Sequence, residues 1–294
     1  MSHAGAAPSS AVRDQTRART VLITGASSGI GLATAVAAAR SGWTTVATLR
    51  DPGRAGALRD AAERSGVSID VRQLDVTDPA SIAACIHGVV GDHGGLHALV
   101  NNAGAAHVGT VETDDMDEFR ACIEVNFFGV VQTTRAALPH LRTTSGSVVT
   151  VSSVGGVVGQ PFNEAYCAAK FAVEGFCEAL APVAAAVGVR VSVIEPGAVA
   201  SEFITNAGLD AAALVEEAGP YRQTVERYLD RTMRQFGSAA QAADEVADVV
   251  IRTLADSAPP FRLQTSDSSR AFVATKLADT DGSAVQAMTG AWLI

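Results

Sequence analysis

The chain has 294 residues, 48% of them apolar and 18% charged, with a formal net charge of −9 at neutral pH. That length fits one large domain or two small ones. The acidic balance, with no Lys/Arg-rich block to offset it, argues against non-specific binding to nucleic acid, whose phosphates would repel it. No apolar run reaches membrane-spanning length, because the Ala-rich stretch at 179–194 is broken by Pro182, Gly188 and Arg190.

Residues 1–19 are small, polar and basic, lack the apolar centre of a secretory signal, and read as a flexible tail. "TVLITG" (20–25) reads as a buried strand, followed by an Ala-rich helix to Ser41 that Gly42 closes. A second strand (43–49), a helix (53–65), a strand (69–75), a helix (78–91) and a strand (96–104) follow. A long helix is expected from Thr113 towards Leu138, where Pro139 ends it or marks its last turn. Asp114, Asp115, Asp117 and Glu118 crowd its start, where the helix dipole favours them. Then come a strand (145–153), a helix (163–187) and a strand (189–197). Residues 200–240 break the alternation as a helical, polar segment. A helix (243–255) and a short strand (261–265) close the pattern. Repeated β-α units predict one α/β domain over 20–294, a doubly wound, mostly parallel sheet of about seven strands with helices on both faces. An insertion after the sixth strand overhangs the carboxyl edge of such a sheet, so 200–240 is expected to be a substrate lid.

Cys85, Cys122, Cys167 and Cys177 lack paired spacing and read as reduced thiols of a cytoplasmic protein. His93 and His97 flank a Gly pair that reads as a turn, and no carboxylate completes a metal motif. No metal is expected.

"TGASSGIG" (24–31) joins the first strand to the first helix. Gly25, Gly29 and Gly31 permit a tight turn and close approach of the backbone, and the helix N-terminus behind them suits a pyrophosphate. The second strand ends in "ATLRD". Arg50 can neutralise a ribose 2′-phosphate through its fork of donors, which points to NADP(H). The alternative is a solvated Arg50, with Asp51 holding a ribose hydroxyl. Further along, Tyr166 and Lys170 lie one helical turn apart in "EAYCAAKF" and share a face. On a surface the pair is decoration; in a cleft, a nearby cation favours the phenolate.

"TGASSGIG", "LDV" (74–76), "NNAG" (101–104), Asn126, Ser153, "YCAAK" (166–170) and "PG" (196–197) together resemble the short-chain dehydrogenase/reductase family, in order and in spacing, over about residues 19–265. The resemblance implies a single-domain Rossmann fold and a hydride-transferring oxidoreductase. It makes Tyr166 the general acid/base. Lys170 would lower the Tyr166 pKa and hold the nicotinamide ribose. Ser153, thirteen residues before the Tyr, would bond the substrate oxygen, and Asn126 would support a water linking Lys170 to solvent. It places the cofactor against Gly25, Ser27, Ser28, Gly29, Ile30 and Gly31, against Arg50, Asp75 and Val76, and against Asn102, Ala103 and Gly104. Tyr166, Lys170, Pro196, Gly197, Val199 and Ser201 complete that set. Ser201 stands where the family often has Thr.

A narrower resemblance, carried by "ATLRD", "VGGVVGQPFNEAYCAAKFAVEGFCEALA" and "AVQAM", is to the branch holding estradiol 17β-dehydrogenase type 1 and the photoreceptor retinol dehydrogenases. It implies NADP(H), a lipophilic carbonyl or alcohol as small-molecule partner, and a homo-oligomer, dimer or tetramer. The His and Glu that hold the far end of the steroid there align with Arg231 and Ala291, so estrogen specificity is not implied. Phe162, Asn163, Val154, Phe203 and Tyr228 either line the substrate pocket or, for the aromatics, serve as core or surface. Two rival readings are a non-catalytic NADP(H) sensor, which tends to lose the Tyr or Lys kept here, and an NAD-dependent alcohol dehydrogenase acting on smaller substrates.

Overall fold

The structure is a computed structural model that describes residues 19–200 and 210–294, apart from the side chains of 235–239. The expected tail up to residue 18, Ser201 and Phe203 lie outside the described residues. The strands are β1 (Thr20–Ile23), β2 (Thr44–Leu49), β3 (Asp70–Gln73), β4 (Ala98–Asn101), β5 (Ser147–Val151), β6 (Arg190–Glu195), β7 (Val199–Ala200), β8 (Gln241–Ala242) and β9 (Arg262–Gln264). Seven form one sheet in the order β3-β2-β1-β4-β5-β6-β9, and β7 pairs with β8 alone. Every pairing is parallel.

Helices α1 (Gly29–Arg40), α2 (Gly56–Arg64), α3 (Pro79–His93), α4 (Met116–Ile123), α5 (Gly129–Thr144) and α6 (Glu164–Ala185) alternate with the strands. After β6 come α7 (Ala211–Glu217), α8 (Arg222–Ala239), α9 (Ala243–Ala255), α10 (Asp267–Ala278) and α11 (Ser283–Gly290).

Successive strand residues face opposite sides, so each strand feeds two cores. Val21, Ile23, Val100 and Ile194 pack with Ala35 and Ala38 of α1 and with Val246 and Val250 of α9. Leu22, Leu99 and Val193 pack on the other face with Ile86 of α3, Leu141 of α5 and Val173 of α6. Strands buried on both faces explain why the sequence reads as short continuous apolar runs. Strand order reverses between β1 and β4, which opens a crevice at their carboxyl ends.

The structure departs from the sequence reading at three places. The long helix is split by a π-helical turn over Glu124–Phe128. Its second half runs through Pro139 to Thr144. Proline forfeits its own N–H bond here without ending the helix, which instead closes at Ser145, whose left-handed backbone (φ 50°) lets the N–H of the following Gly146 reach Leu141 O at 2.8 Å. Beyond β9, where no element was expected, α10 and α11 form. They bury Val273 and Val285 against Val154 and Val158.

Candidate active site

The glycine loop is built by close approach. Gly25 has φ +68°, and a Cβ there would lie 2.7 Å from Ala103 Cα. A Cβ on Gly31 would lie 2.3 Å from Gly25 O and 2.4 Å from Asn102 Nδ2. Asn102 folds onto this loop, its amide donating to Thr24 O and Gly25 O at 2.9 Å each. Thr24 Oγ1 in turn accepts from the Asn102 and Ala103 backbones at 3.0 Å. The "NNAG" segment is thus a brace for the turn. Gly29, also left-handed (φ +54°), opens α1 directly behind Ser27 and Ser28. Gly31→Ala is expected to weaken binding of both nicotinamide cofactors and to cost roughly 2 kcal/mol of stability, because backbone must move; cofactor titration and thermal melts check this.

At the end of β2, Arg50 is exposed, and among the described residues its guanidinium has no ion pair. It borders a cleft of about 480 Å³ together with Gln73, Asp75 and Ser81. Asp51 is already engaged, its Oδ1 capping the next turn by accepting from Gly53 N at 2.8 Å. Asp75 accepts from Thr77 N and Thr77 Oγ1 at 2.9 and 2.7 Å, which fixes the turn after β3. Val76 lies against Gly129, where a Cβ would come within 2.8 Å of Val76 Cγ2.

The second half of the site lies at the ends of β5 and β6. Ser153 caps the short turn Val154–Gly156, its Oγ accepting from Gly155 N at 3.0 Å. Its hydroxyl also bonds Tyr166. Gly155 keeps that turn against the Tyr166 ring, since a Cβ would sit 3.3 Å from Cε1. Lys170, 4% exposed, donates from Nζ to Val151 O at 3.0 Å, with Nζ 5.7 Å from the Tyr166 ring centroid. Burial pulls its pKa down to about 8. Burial also pushes the Tyr166 phenol above its usual range, with the Ser153 hydrogen bond working against it. In the ligand-free protein Tyr166 is therefore a neutral phenol at neutral pH. Val154 N donates to Pro196 O at 2.9 Å, which ties the Pro196–Gly197 turn to Ser153. Gly197 packs on Ser269, 2.7 Å from where its Cβ would be, and Val199 follows in β7.

Asn126 is fully buried in the π turn. Its amide donates to Cys122 O and Ala105 O at 2.9 Å each, and its Oδ1 accepts from Ala105 N at 3.3 Å. Side-chain capture of a helix carbonyl is a recognised cause of such bulges, which concentrate at functional sites. Among the described residues, every hydrogen bond of the Asn126 side chain goes to Ala105 or Cys122, and none to Lys170.

The pocket residues named from sequence divide. Phe162 and Tyr228 are both buried and pack on each other, ring centroids 5.4 Å apart, and Asn163 Nδ2 donates to Tyr228 Oη at 2.6 Å. Tyr228 is therefore not a surface residue. Its helix α8 brings Val225 and Leu229 onto Phe162 and Val108, roofing the start of α6. Arg231 and Ala291 border one groove of about 810 Å³ on the other face of α8, and there Arg231 stacks over Trp292 at 4.4 Å. Asp114 differs from its acidic neighbours: Asp115 caps α4, whereas Asp114 turns inward to His107 at 3.6 Å. No sequence signal marked that pair. A signal overlooked at Lys170 was composition, since only two of the 22 cationic residues are lysine. Among the described residues no cluster of metal-ligating side chains forms and no helix is long and apolar enough to cross a membrane.

Known proteins resemble the chain in both sequence and fold. Its residues 19–212 match the short chain dehydrogenase family. Retinol dehydrogenase 8 of Bos taurus is 38% identical over 274 residues, covering 90% of this chain and 87% of the relative. The 17-beta-hydroxysteroid dehydrogenase type 1 of Homo sapiens is 37% identical over 275 residues, covering 90% and 83%. A short-chain dehydrogenase from Streptomyces avermitilis, 31% identical, superposes with a TM-score of 0.73 over 94% of this chain and 96% of that one. With motifs, sheet order and relatives in agreement, the chain belongs to the short-chain dehydrogenase/reductase family of oxidoreductases, alongside retinol and hydroxysteroid dehydrogenases.

Proposed function

We propose that the protein is an NADP(H)-dependent oxidoreductase that interconverts a ketone and a secondary alcohol on a bulky lipophilic substrate. The observation that carries this reading is the convergence of Ser153, Tyr166 and Lys170 on one side of the crevice whose other side is the glycine loop. The residues present fit the dinucleotide. Positions 25 and 31 leave no room for a side chain, and Arg50 borders a cleft with its guanidinium unpaired among the described residues, where a 2′-phosphate would be held. Bound nicotinamide supplies or accepts the hydride.

The chain's own part is proton handling and orientation. Ser153 Oγ accepts from Gly155, so its single proton is available to the substrate oxygen. Tyr166 gives that oxygen its proton during reduction. The phenolate left behind is stabilised by the Lys170 cation. Lys170 spends one N–H on Val151 O and keeps two for ribose hydroxyls. Asn126 holds the π turn open beside this pair. Because its side chain is consumed locally, a relay water would meet the backbone of that turn. The apolar roof of Phe162, Val225 and Leu229, together with relatives named for retinol and hydroxysteroids, favours a large apolar substrate. In this reading α7 and α8 form the lid.

The test is turnover of purified protein, followed at the nicotinamide absorbance with NADPH and NADH separately, against steroid, retinoid and small aliphatic carbonyls. Bulky carbonyls are expected to react, and with NADPH. Reaction of small carbonyls alone would overturn the substrate assignment, and NADPH binding without any turnover would overturn catalysis.

A further inference from the structure

Tyr166, Lys170, Glu174 and Glu178 recur every fourth residue of α6 and so share one face. The stripe runs from the reaction site to the surface. Lys170 and Glu174 are each 4% exposed, while the Glu178 side chain is 61% exposed. Arg262 of β9 clamps its outer half, with Nε on Glu174 Oε2 at 3.0 Å and Nη2 on Glu178 Oε2 at 2.6 Å. Glu195, with its side chain fully buried at the end of β6, stands 3.4 Å from the same Nε and accepts from Gln264 Nε2 at 2.8 Å.

Burying two carboxylates around one guanidinium is a poor route to stability, since apolar side chains of similar volume do as well or better. The position of Glu174 suggests another use. Gly156, at the end of the Ser153 turn, has no side chain because three groups close on it. A Cβ there would lie 2.6 Å from Ser152 Oγ, 3.0 Å from Glu174 Cγ and 3.1 Å from Lys170 O. Glu174 therefore sits where the turn bearing Ser153 meets the helix bearing Tyr166 and Lys170.

We propose that Glu174 is a positioning residue for proton transfer: pinned by Arg262, it keeps the buried Lys170 ammonium charged and seats the Ser153 turn on the catalytic helix. This rests on the role assigned above to Tyr166 and Lys170. The groups facing Lys170 are few. Tyr166, Glu174 and Cys177 come from its own helix, Cys122 from α4 and the Val151 carbonyl from β5, with Arg262 and Glu195 beyond Glu174. Both cysteines are kept as neutral thiols by burial, Cys177 pushed up to about 12. Burial raises the Glu174 carboxyl as well, with hydrogen bonds to Ser152 and Arg262 working against it, and among these groups it is the carboxylate one helical turn from the ammonium, where its charge opposes the desolvation that pulls Lys170 down.

Lys170 and Lys276 are the only lysines, so protein labelled with ¹³C at the lysine ε carbon gives two titrating signals, assigned with Lys276→Arg. The parent Lys170 signal is expected to titrate near 8. In Glu174→Gln, and in Glu174→Leu where no unpaired amide is buried, the midpoint is expected to fall by about one unit. Glu174→Asp and Glu178→Gln are expected to stay near the parent, the first because it keeps the charge. The ammonium is lost as pH rises through its pKa, so the alkaline decline of carbonyl reduction should begin at lower pH in the two charge-removing variants. An unchanged midpoint in both overturns the proposal, as does an equal fall in Glu178→Gln. The signal needs no turnover, so a shifted midpoint in a protein that reduces nothing would leave the action of Glu174 on Lys170 standing and sink the catalytic reading instead.

Discussion

Tyr166→Phe is expected to lower carbonyl reduction by about a thousandfold while leaving NADPH affinity nearly unchanged. The substitution removes one oxygen and keeps the ring that packs against Gly155. It orphans little. Ser153 Oγ still accepts from Gly155 N, and Lys170 still donates to Val151 O. What disappears is the proton donor, held neutral by burial at the mouth of the crevice. Without it the developing alkoxide has only the Ser153 hydroxyl and solvent. Steady-state rates and a fluorescence titration of NADPH separate the two effects. Parent-like activity would remove Tyr166 from the mechanism, and a large loss of cofactor affinity would make the residue a binding group rather than an acid.

Arg50→Ala is expected to weaken NADPH binding by roughly a hundredfold and NADH binding hardly at all, the worth of a bidentate charge-assisted contact to a phosphate. The competing reader, Asp51, already has one carboxylate oxygen engaged as a turn cap through Gly53 N. Arg50 is exposed, so its removal leaves no buried partner behind and the fold is unaffected. Isothermal titration with the two cofactors checks it. Equal losses for both would show that Arg50 does not read the phosphate.

The sheet was legible in the sequence because strands covered on both faces are written as short apolar runs, and because the Gly-rich and Pro-Gly turns punctuate them. Its seven parallel strands and covering helices match the expected doubly wound fold. Helix interruptions were not legible. The π turn depends on the Asn126 amide taking the Cys122 carbonyl, a side-chain event that leaves no periodic trace. Nor did Pro139 stop its helix, since one missing N–H bond five residues from the end is tolerated when Ser145 can adopt a left-handed cap. The C-terminal helices were missed because few of their apolar residues are buried, Val273 and Val285 being the ones that are, so no apolar stripe marks them.

Around the candidate site, residue types were legible and partnerships were not. Tyr166 and Lys170 announced themselves by spacing and Ser153 through the family resemblance, and the structure brings them together. The bracing of Gly25 by Asn102, and the burial of Asp114 against His107, are contacts between segments far apart in the chain or hidden in one loop. Glu174 looks in sequence like one more acidic residue on an amphipathic helix. Only the arrival of Arg262 from the last strand shows it to be buried and held.

The most direct test of the account is label transfer. NADPH deuterated at the nicotinamide C4 on the transferred face would be mixed with a bulky ketone and the enzyme, and the product alcohol weighed by mass spectrometry. The account predicts one deuterium on the carbinol carbon with the parent protein and almost no alcohol with Tyr166→Phe. Unlabelled alcohol, or no alcohol at all while NADPH is bound, would contradict it.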